Sequence, residues 1–329
     1  MKRNSRIRAT GLPPPAERAS HARRRRRVLY GAAVGLAGAA TIVLAFGVAQ
    51  PWANASVDFP GAATTGVPSG TKMLSVPSQV SSGPGWSYSK AANQVNVTGA
   101  GAVLSGLSIG CNLNITASNV TIKDDSVVTG GNYAISLRHT SGVTIENSTI
   151  RGLNAGSGDV VAAISDLYSD STGTVVSGND ISHFNKGVYL ETGSVTGNYI
   201  HDPGFVAGDH TDGVFDVGTT QPLTISGNTI LLSTNQTGAI SLDATLDGQT
   251  IANKTITNNL LGGGSWVIYA GSARSATTSN IVIKNNQFSQ LYYPKSGLFG
   301  PAAYFDSKGQ GNVWSGNTWQ ASGQLVPSP

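Results

Sequence analysis

Short segments of alternating apolar and polar residues recur along the chain from about residue 100 onward. β-Branched residues occupy every second position, which is typical of a half-buried strand, and helical periodicity is almost absent. Each segment ends at a polar corner. The equivalent corner residues lie 19 to 31 residues apart: Asp125, Ser148, Asn179, Asn198, Asn228, Asn259, Asn286 and Asn317. This period predicts a solenoid with one coil per repeat.

The asparagine column separates a solenoid from the main alternative, a β-sandwich. A sandwich also has short strands and turns, but it does not place asparagine at one corner through six successive repeats. Stacked amides can hydrogen-bond along the axis at the strand spacing of about 4.8 Å. Over roughly residues 95–320 the chain resembles the right-handed parallel β-helix of the pectate lyase-like superfamily. This implies an all-β fold of about eight or nine coils with an N-terminal cap.

The two ends of the chain differ in charge. Residues 1–55 hold ten of the 21 Lys and Arg residues and one acid, Glu17, so the remainder carries 11 basic and 16 acidic residues. That mildly acidic body argues against a nucleic-acid partner, which requires a basic surface. Cys111 is the only cysteine and excludes a disulfide within the chain.

The basic head is followed by 21 uncharged residues, Val28 to Val48, and by a small-x-small pattern at Ala53 and Ala55. This arrangement predicts a secretory signal peptide, and the alternative is an N-terminal membrane anchor. The body is then secreted, or it is held at the outer face of the cytoplasmic membrane by this segment alone. The predicted organisation has four parts: head with signal or anchor (1–55), linker and N-terminal cap (56–94), β-helix (95–320) and tail (321–329).

The stretch VAGDHTDGVFDV (Val206 to Val217) concentrates charge in a chain otherwise poor in it. It contains Asp209, His210, Asp212 and Asp216, and the turn before it is longer than its neighbours. Aligning the core positions of successive coils places Asp212 at the start of a strand and Lys186 at the equivalent place one coil earlier. Long turns on a regular scaffold often carry function. Alternatively, the Asp and His side chains hold an irregular turn by hydrogen-bonding its amides.

His210 to Gly213, HTDG, is similar to the Asn-Thr-Asp-Gly motif of polygalacturonase-type glycoside hydrolases. That resemblance implies a catalytic acid at Asp212. The aspartate pair that the family carries in its next coil is missing from NQTGAISLDA, as are its Gly-His-Gly and Arg-x-Lys motifs. The segment also resembles exported actinobacterial β-helix proteins with a His-x-Asp-Gly turn.

The candidate chemistry is the processing of an extracellular polysaccharide. A hydrolase needs an acid and a base, for which Asp212 and either Asp209 or Asp216 are candidates. A lyase or epimerase needs a base and charge stabilisation, for which Lys186 and His210 are candidates. We predict no metal site and no required cofactor, although acidic residues could bind Ca²⁺ for a lyase reaction.

A glycan- or wall-binding surface module without catalysis is the alternative to an enzyme. Tyr189 and Phe215 are expected on the outer side of their strands, where aromatic rings can contact sugars, and Glu191 and Asp216 add polar groups. A trimeric fibre is a third interpretation that the irregular loops do not favour. We expect a monomer whose partner is a polysaccharide.

Overall fold

A computed structural model describes residues 58–153, 161–206 and 208–329. The predicted head, Val28 to Val48 included, lies outside the described residues. These described residues belong to one compact unit. Among the residues described there is no helix that is long and apolar enough to cross a membrane.

The described residues form three sheets, whose strands are numbered in chain order. Sheet A contains β1 Leu74–Val76, β6 Leu107–Ile109, β9 Ser126–Thr129, β12 Thr149–Gly152, β15 Asp180–Ser182, β18 Tyr199–His201, β21 Thr229–Leu232, β24 Leu260–Gly263, β27 Gln287–Phe288 and β30 Thr318–Trp319. Sheet B contains β2 Ser82–Gly83, β3 Trp86–Ser89, β4 Gln94–Val97, β7 Asn112–Ile115, β10 Tyr133–Leu137, β13 Ala162–Asp166, β16 Lys186–Tyr189, β19 Asp212–Asp216, β22 Gly238–Leu242, β25 Trp266–Ala270 and β28 Gly300–Ala303. Sheet C contains β5 Val103–Ser105, β8 Thr121–Lys123, β11 Thr144–Glu146, β14 Val175–Ser177, β17 Gly193–Thr196, β20 Leu223–Ser226, β23 Thr250–Thr257, β26 Thr277–Lys284 and β29 Val313–Ser315.

From β5 onward, successive strands pass from sheet C to sheet A to sheet B, and each pairs in parallel with the strand one coil away. The fold is therefore a parallel β-helix, as the sequence predicts. Seven turns lead from β7 to β28 in sheet B. The predicted eight or nine coils slightly exceed this number because the repeats at the ends of the chain form incomplete coils.

The core is filled by the inward-facing residue of each strand. Parallel register stacks like on like, and in sheet C this produces one continuous buried column: Leu104, Ile122, Ile145, Val176, Val195, Ile225, Ile256 and Ile283. Burying an aliphatic side chain of this size contributes about 1.5–3 kcal/mol. The alternation in sequence thus follows directly from burial of one face of each strand.

The predicted asparagine column is confirmed. All six asparagines are buried, and each Nδ2 of the first five donates to the Oδ1 of the next at 2.9–3.0 Å. The residue before each corner residue has a positive φ, as at Gly227 and Asn258. Glycine and asparagine tolerate this left-handed conformation, which explains the recurrent Gly-Asn and Asn-Asn pairs.

Both ends of the solenoid are covered. At the N-terminal end β2, β3 and β4 pair antiparallel, and Trp86 is buried there. At the other end the predicted tail folds back, because Val326 is only 3 % exposed and its amide donates to the carbonyl of Asn317 at 2.8 Å. An apolar residue near the chain end covers the last coil, which would otherwise expose core and strand edge.

Candidate functional site

A cavity of about 670 Å³ opens on the outer face of sheet B. Binding cavities for small molecules usually measure about 300–1,000 Å³. Its wall comes from β16, β19, β22 and β25 and from the turns beside them: Lys186, His210, Asp212, Phe215, Gln236, Thr237, Ser241, Leu242, Asp243, Ser265, Tyr269, Ala273, Arg274 and Tyr304. The HTDG turn therefore lies beside a cavity, where a binding or catalytic role requires it.

Asp212 begins β19 and pairs in register with Lys186 one coil earlier and Gly238 one coil later, as aligned from the sequence. Gly213 follows it because a Cβ there would collide with the Ala239 carbonyl and the Ile230 side chain. The Asp-Gly pair thus brings β19 close to its neighbours and places the carboxylate on the wall of the cavity.

Asp212 is held by two neighbours and has no exposed side-chain surface. The Ser241 hydroxyl donates to its Oδ1 at 2.5 Å, and the Lys186 ammonium lies 3.7 Å from its Oδ2. Burial raises the pKa of Asp212 from 3.8 to about 7, against the opposing effects of Lys186 and Ser241. A carboxyl group with such a pKa can carry a proton near neutral pH, which is the requirement for a general acid.

Lys186 is fixed in place at the same wall. Its ammonium donates to the His210 carbonyl and to the Asn185 side chain, both at 2.9 Å, and lies 5.1 Å from the centre of the Phe215 ring. These contacts hold a positive charge beside Asp212. A fixed cation of this kind can bind an oxygen-rich ligand or stabilise negative charge that develops during a reaction.

Of the remaining residues of the motif, one lines the cavity and another holds the turn. The exposed His210 side chain lines the cavity, with Nδ1 3.5 Å from the Thr237 hydroxyl. Asp209 is not among the lining residues, and its Oδ2 accepts a hydrogen bond from the Val206 amide at 2.6 Å. Within one sequence motif, Asp209 therefore has the contact of a turn residue, whereas His210 and Asp212 face the cavity.

Asp216 and Glu191 belong to a different cluster. Asp216 is fully buried and forms an ion pair of 2.8 Å with Lys254, which is also fully buried. The Lys254 ammonium further donates to the Glu191 carbonyl at 3.0 Å. The Glu191 side chain accepts from the Ser169 hydroxyl at 2.8 Å, and burial raises its pKa to about 7. Neither acid lines the cavity.

The two aromatic residues expected on the outer face lie edge to face, with ring centres 4.9 Å apart. Phe215 lines the cavity and Tyr189 packs against it from the preceding coil. Burial raises the pKa of Tyr189 to about 12, with smaller contributions from neighbouring acids that include Glu191. Tyr189 therefore keeps its hydroxyl proton near neutral pH and presents a neutral hydroxyl on an apolar ring.

Several lining residues are absent from the sequence prediction, among them Tyr269, Arg274 and Tyr304. Tyr269 could have been found, because it follows Phe215 and Ser241 in the same outward column. Arg274 and Tyr304 lie outside the strands at positive φ, where no periodicity marks them. Asp243, which directly follows β22, lines the cavity as well.

No group of three His, Cys, Asp or Glu residues within the described ranges is arranged to hold a metal ion. A lysine stands beside the acids in both clusters, Lys186 at Asp212 and Lys254 at Asp216. In each pair the lysine ammonium lies next to the carboxylate, in the position that a metal cation would take.

Comparison of the chain with protein-family models, with curated proteins and with solved structures finds no match. The site is therefore interpreted from its own geometry.

Proposed function

We propose that the protein is an exported glycoside hydrolase of the pectate lyase-like β-helix type that acts on an extracellular polysaccharide. The supporting observation is Asp212, a buried carboxyl with a pKa of about 7 on the wall of a 670 Å³ cavity. Such a group can protonate the leaving oxygen of a glycosidic bond. We further propose that the protein is secreted or anchored by its N-terminal segment and acts as a monomer.

Asp243 is the proposed partner carboxylate. It shares the cavity with Asp212, whereas Asp209 and Asp216, the two candidates from the sequence, lie outside it. In an inverting hydrolase the second carboxylate activates a water molecule on the opposite side of the sugar. Phe215, Tyr269 and Tyr304 supply the aromatic surface against which sugar rings pack.

Asp212→Asn is the sharpest test. The exchange keeps the shape of the side chain but removes its proton, so we expect activity to fall at least about 100-fold, the scale of general acid catalysis. The measurement is release of reducing ends from a panel of neutral and uronic-acid polysaccharides, with absorbance of unsaturated products recorded in parallel. Appearance of those products would identify a lyase instead.

Asp209→Asn is the matched control, since it alters a carboxylate of the same turn outside the cavity. It should retain most activity, and both variants should melt within a few degrees of the unaltered protein. An active Asp212→Asn variant, or one whose loss matches its unfolded fraction, would contradict the proposal and favour a structural role.

A glycan-binding module without catalysis is the second candidate. It is favoured by the complete burial of the Asp212 side chain, which leaves the aromatic residues and the charged groups Lys186, Asp243 and Arg274 as accessible cavity surface. Retention of a polysaccharide without any release of reducing ends by the unaltered protein would decide for this function.

A further inference from the structure

A cluster on the outer face of sheet B lies well outside the cavity, at the end of β10 and β13. Arg138 follows β10, and its Nε donates to the Asn114 side chain at 2.6 Å. One of its terminal nitrogens donates to the Tyr168 hydroxyl at 3.1 Å, and its guanidinium carbon lies 5.8 Å from the Tyr168 ring centre. Arg138 is thus held in one orientation although it is partly exposed.

Tyr168 is fixed in turn by its own neighbour. The His139 ring stacks on it with centres 4.3 Å apart, and His139 Nδ1 lies 2.5 Å from an oxygen of Asp170. Tyr168 nevertheless remains 52 % exposed. A large aromatic side chain is thus held at the surface by His139 and Arg138.

The Arg138 guanidinium has N–H donors that its two side-chain hydrogen bonds do not use. Arginine carries five N–H donors, and the two hydrogen bonds above use two of them. Within the described residues no carboxylate lies at salt-bridge distance from Arg138. An immobilised, partly exposed guanidinium with unused donors and an aromatic ring beside it suits a ligand that presents oxygen atoms around a ring.

The outer face of sheet B joins this cluster to the cavity. One register column runs through Ser136, Ser165, Tyr189, Phe215 and Ser241, and the last two line the cavity. Ser136 and Ser165, the serines of this column nearest to Arg138, are small and almost fully buried, so the side chains around them form the surface there. Four coil steps separate β10 from β22, about 19 Å along the axis at the strand spacing.

We propose that Arg138, Tyr168 and Asn114 form a distal subsite that binds a sugar unit of the same polysaccharide chain that enters the cavity. The chain lies along the helix axis, and the guanidinium binds sugar hydroxyl or carboxylate oxygens. This inference rests on the proposed function, because it assumes that the ligand is a glycan. It makes the protein a binder of long chains, with an internal segment of the polymer at Asp212.

The test compares the affinity for polymers with the affinity for short chains. Retardation in native gels is measured with polygalacturonate and alginate as acidic probes and xylan and pullulan as neutral ones, and with a trisaccharide of each as competitor. We expect Arg138→Ala and Tyr168→Ala to weaken polymer binding about tenfold, the effect of losing one charge-assisted hydrogen bond, and to leave trisaccharide binding unchanged. Retention by acidic or by neutral probes identifies which oxygens Arg138 binds.

Two further variants separate the orientation of Arg138 from a general effect of positive charge. Tyr168→Phe keeps the ring but removes the acceptor that orients Arg138, so it should weaken binding partially. Lys123→Ala removes an exposed positive charge on sheet C and should have no effect. Polymer binding by Arg138→Ala equal to that of the unaltered protein, polymer binding no tighter than trisaccharide binding, or no retardation by any probe would overturn the inference.

The outcomes are distinct from those for catalysis. Arg138-dependent polymer binding without release of reducing ends would leave the distal subsite standing and remove the hydrolase. Loss of cleavage in Asp212→Asn would support the hydrolase. If Arg138→Ala then cleaves with an unchanged preference for long chains, the distal subsite is removed and the hydrolase stands.

Discussion

At the scale of single residues, the same residue type has opposite roles according to where the coil places it. Asp212 and Asp216 lie in one five-residue strand, yet Asp212 meets a cavity and Asp216 meets a buried lysine. Their partners differ: Asp212 meets Ser241 and Lys186, whereas Asp216 meets Lys254. The register predicts that Lys186 lies beside Asp212, and the structure confirms it. Lys254 could not be predicted, since it stands in a core column between Leu223 and Ile281 and its partner is on another sheet.

The buried pair of Lys254 and Asp216 gives a stability prediction. Lys254→Met leaves Asp216 buried without a cation, so the free energy of unfolding should fall by about 3–5 kcal/mol. The double variant Lys254→Met, Asp216→Asn removes both charges and should recover part of this loss. Urea unfolding of the two single variants and the double variant completes a cycle. Additive effects of the two substitutions would show that the pair is not coupled.

At the scale of elements, the period in the sequence was sufficient to predict the fold. Alternating apolar residues specify strands, and the asparagine column fixes the register of one coil upon the next. The turns are different, because each has its own length and backbone geometry. Arg274 and Tyr304 lie in such turns and line the cavity, although no repeat in the sequence marks their positions. Strand residues of the site were therefore predictable, whereas turn residues that no sequence motif marks, such as Arg274 and Tyr304, were not.

Asn228 tests the asparagine column. Its Nδ2 donates to the Val195 carbonyl and to Asn259, and its Oδ1 accepts from the backbone and side chain of Asn198. Asn228→Leu leaves these buried groups unpaired, and we expect a loss of about 1–3 kcal/mol in thermal or chemical unfolding. Asn235→Leu, at an exposed position in the connection between β21 and β22, should be nearly neutral. Equal stability of the two variants would show that the column does not stabilise the solenoid.

At the scale of the whole molecule, regular stacking brings acids from distant repeats into the interior. Burial raises the pKa of Asp125, Glu191 and Asp212 to about 7 from ordinary values of 3.8, 4.5 and 3.8. Asp125 occupies the first place of the asparagine column, where its Oδ1 accepts from the Leu107 amide at 2.6 Å. Asp125 lies at a corner of the coil, Glu191 lies beside Ser169 near the buried Lys254, and Asp212 lies on the cavity wall. One titration range therefore affects three separate regions of the molecule.

The protein should therefore be more stable in mild acid than above neutrality. Between about pH 4 and pH 7 the folded state holds protons that the unfolded state has released, so the free energy of unfolding falls as the pH rises through this range. Below it both states are protonated, and above it the full cost of burying the charges is present. Melting temperatures measured from pH 4.5 to pH 8.5 should fall accordingly. Glu191→Gln, which removes one group but keeps an acceptor for Ser169, should flatten the profile. A melting temperature that rises toward pH 8 would show that these carboxyls are ionised in the folded protein at low pH, and it would remove Asp212 as a proton donor near neutrality.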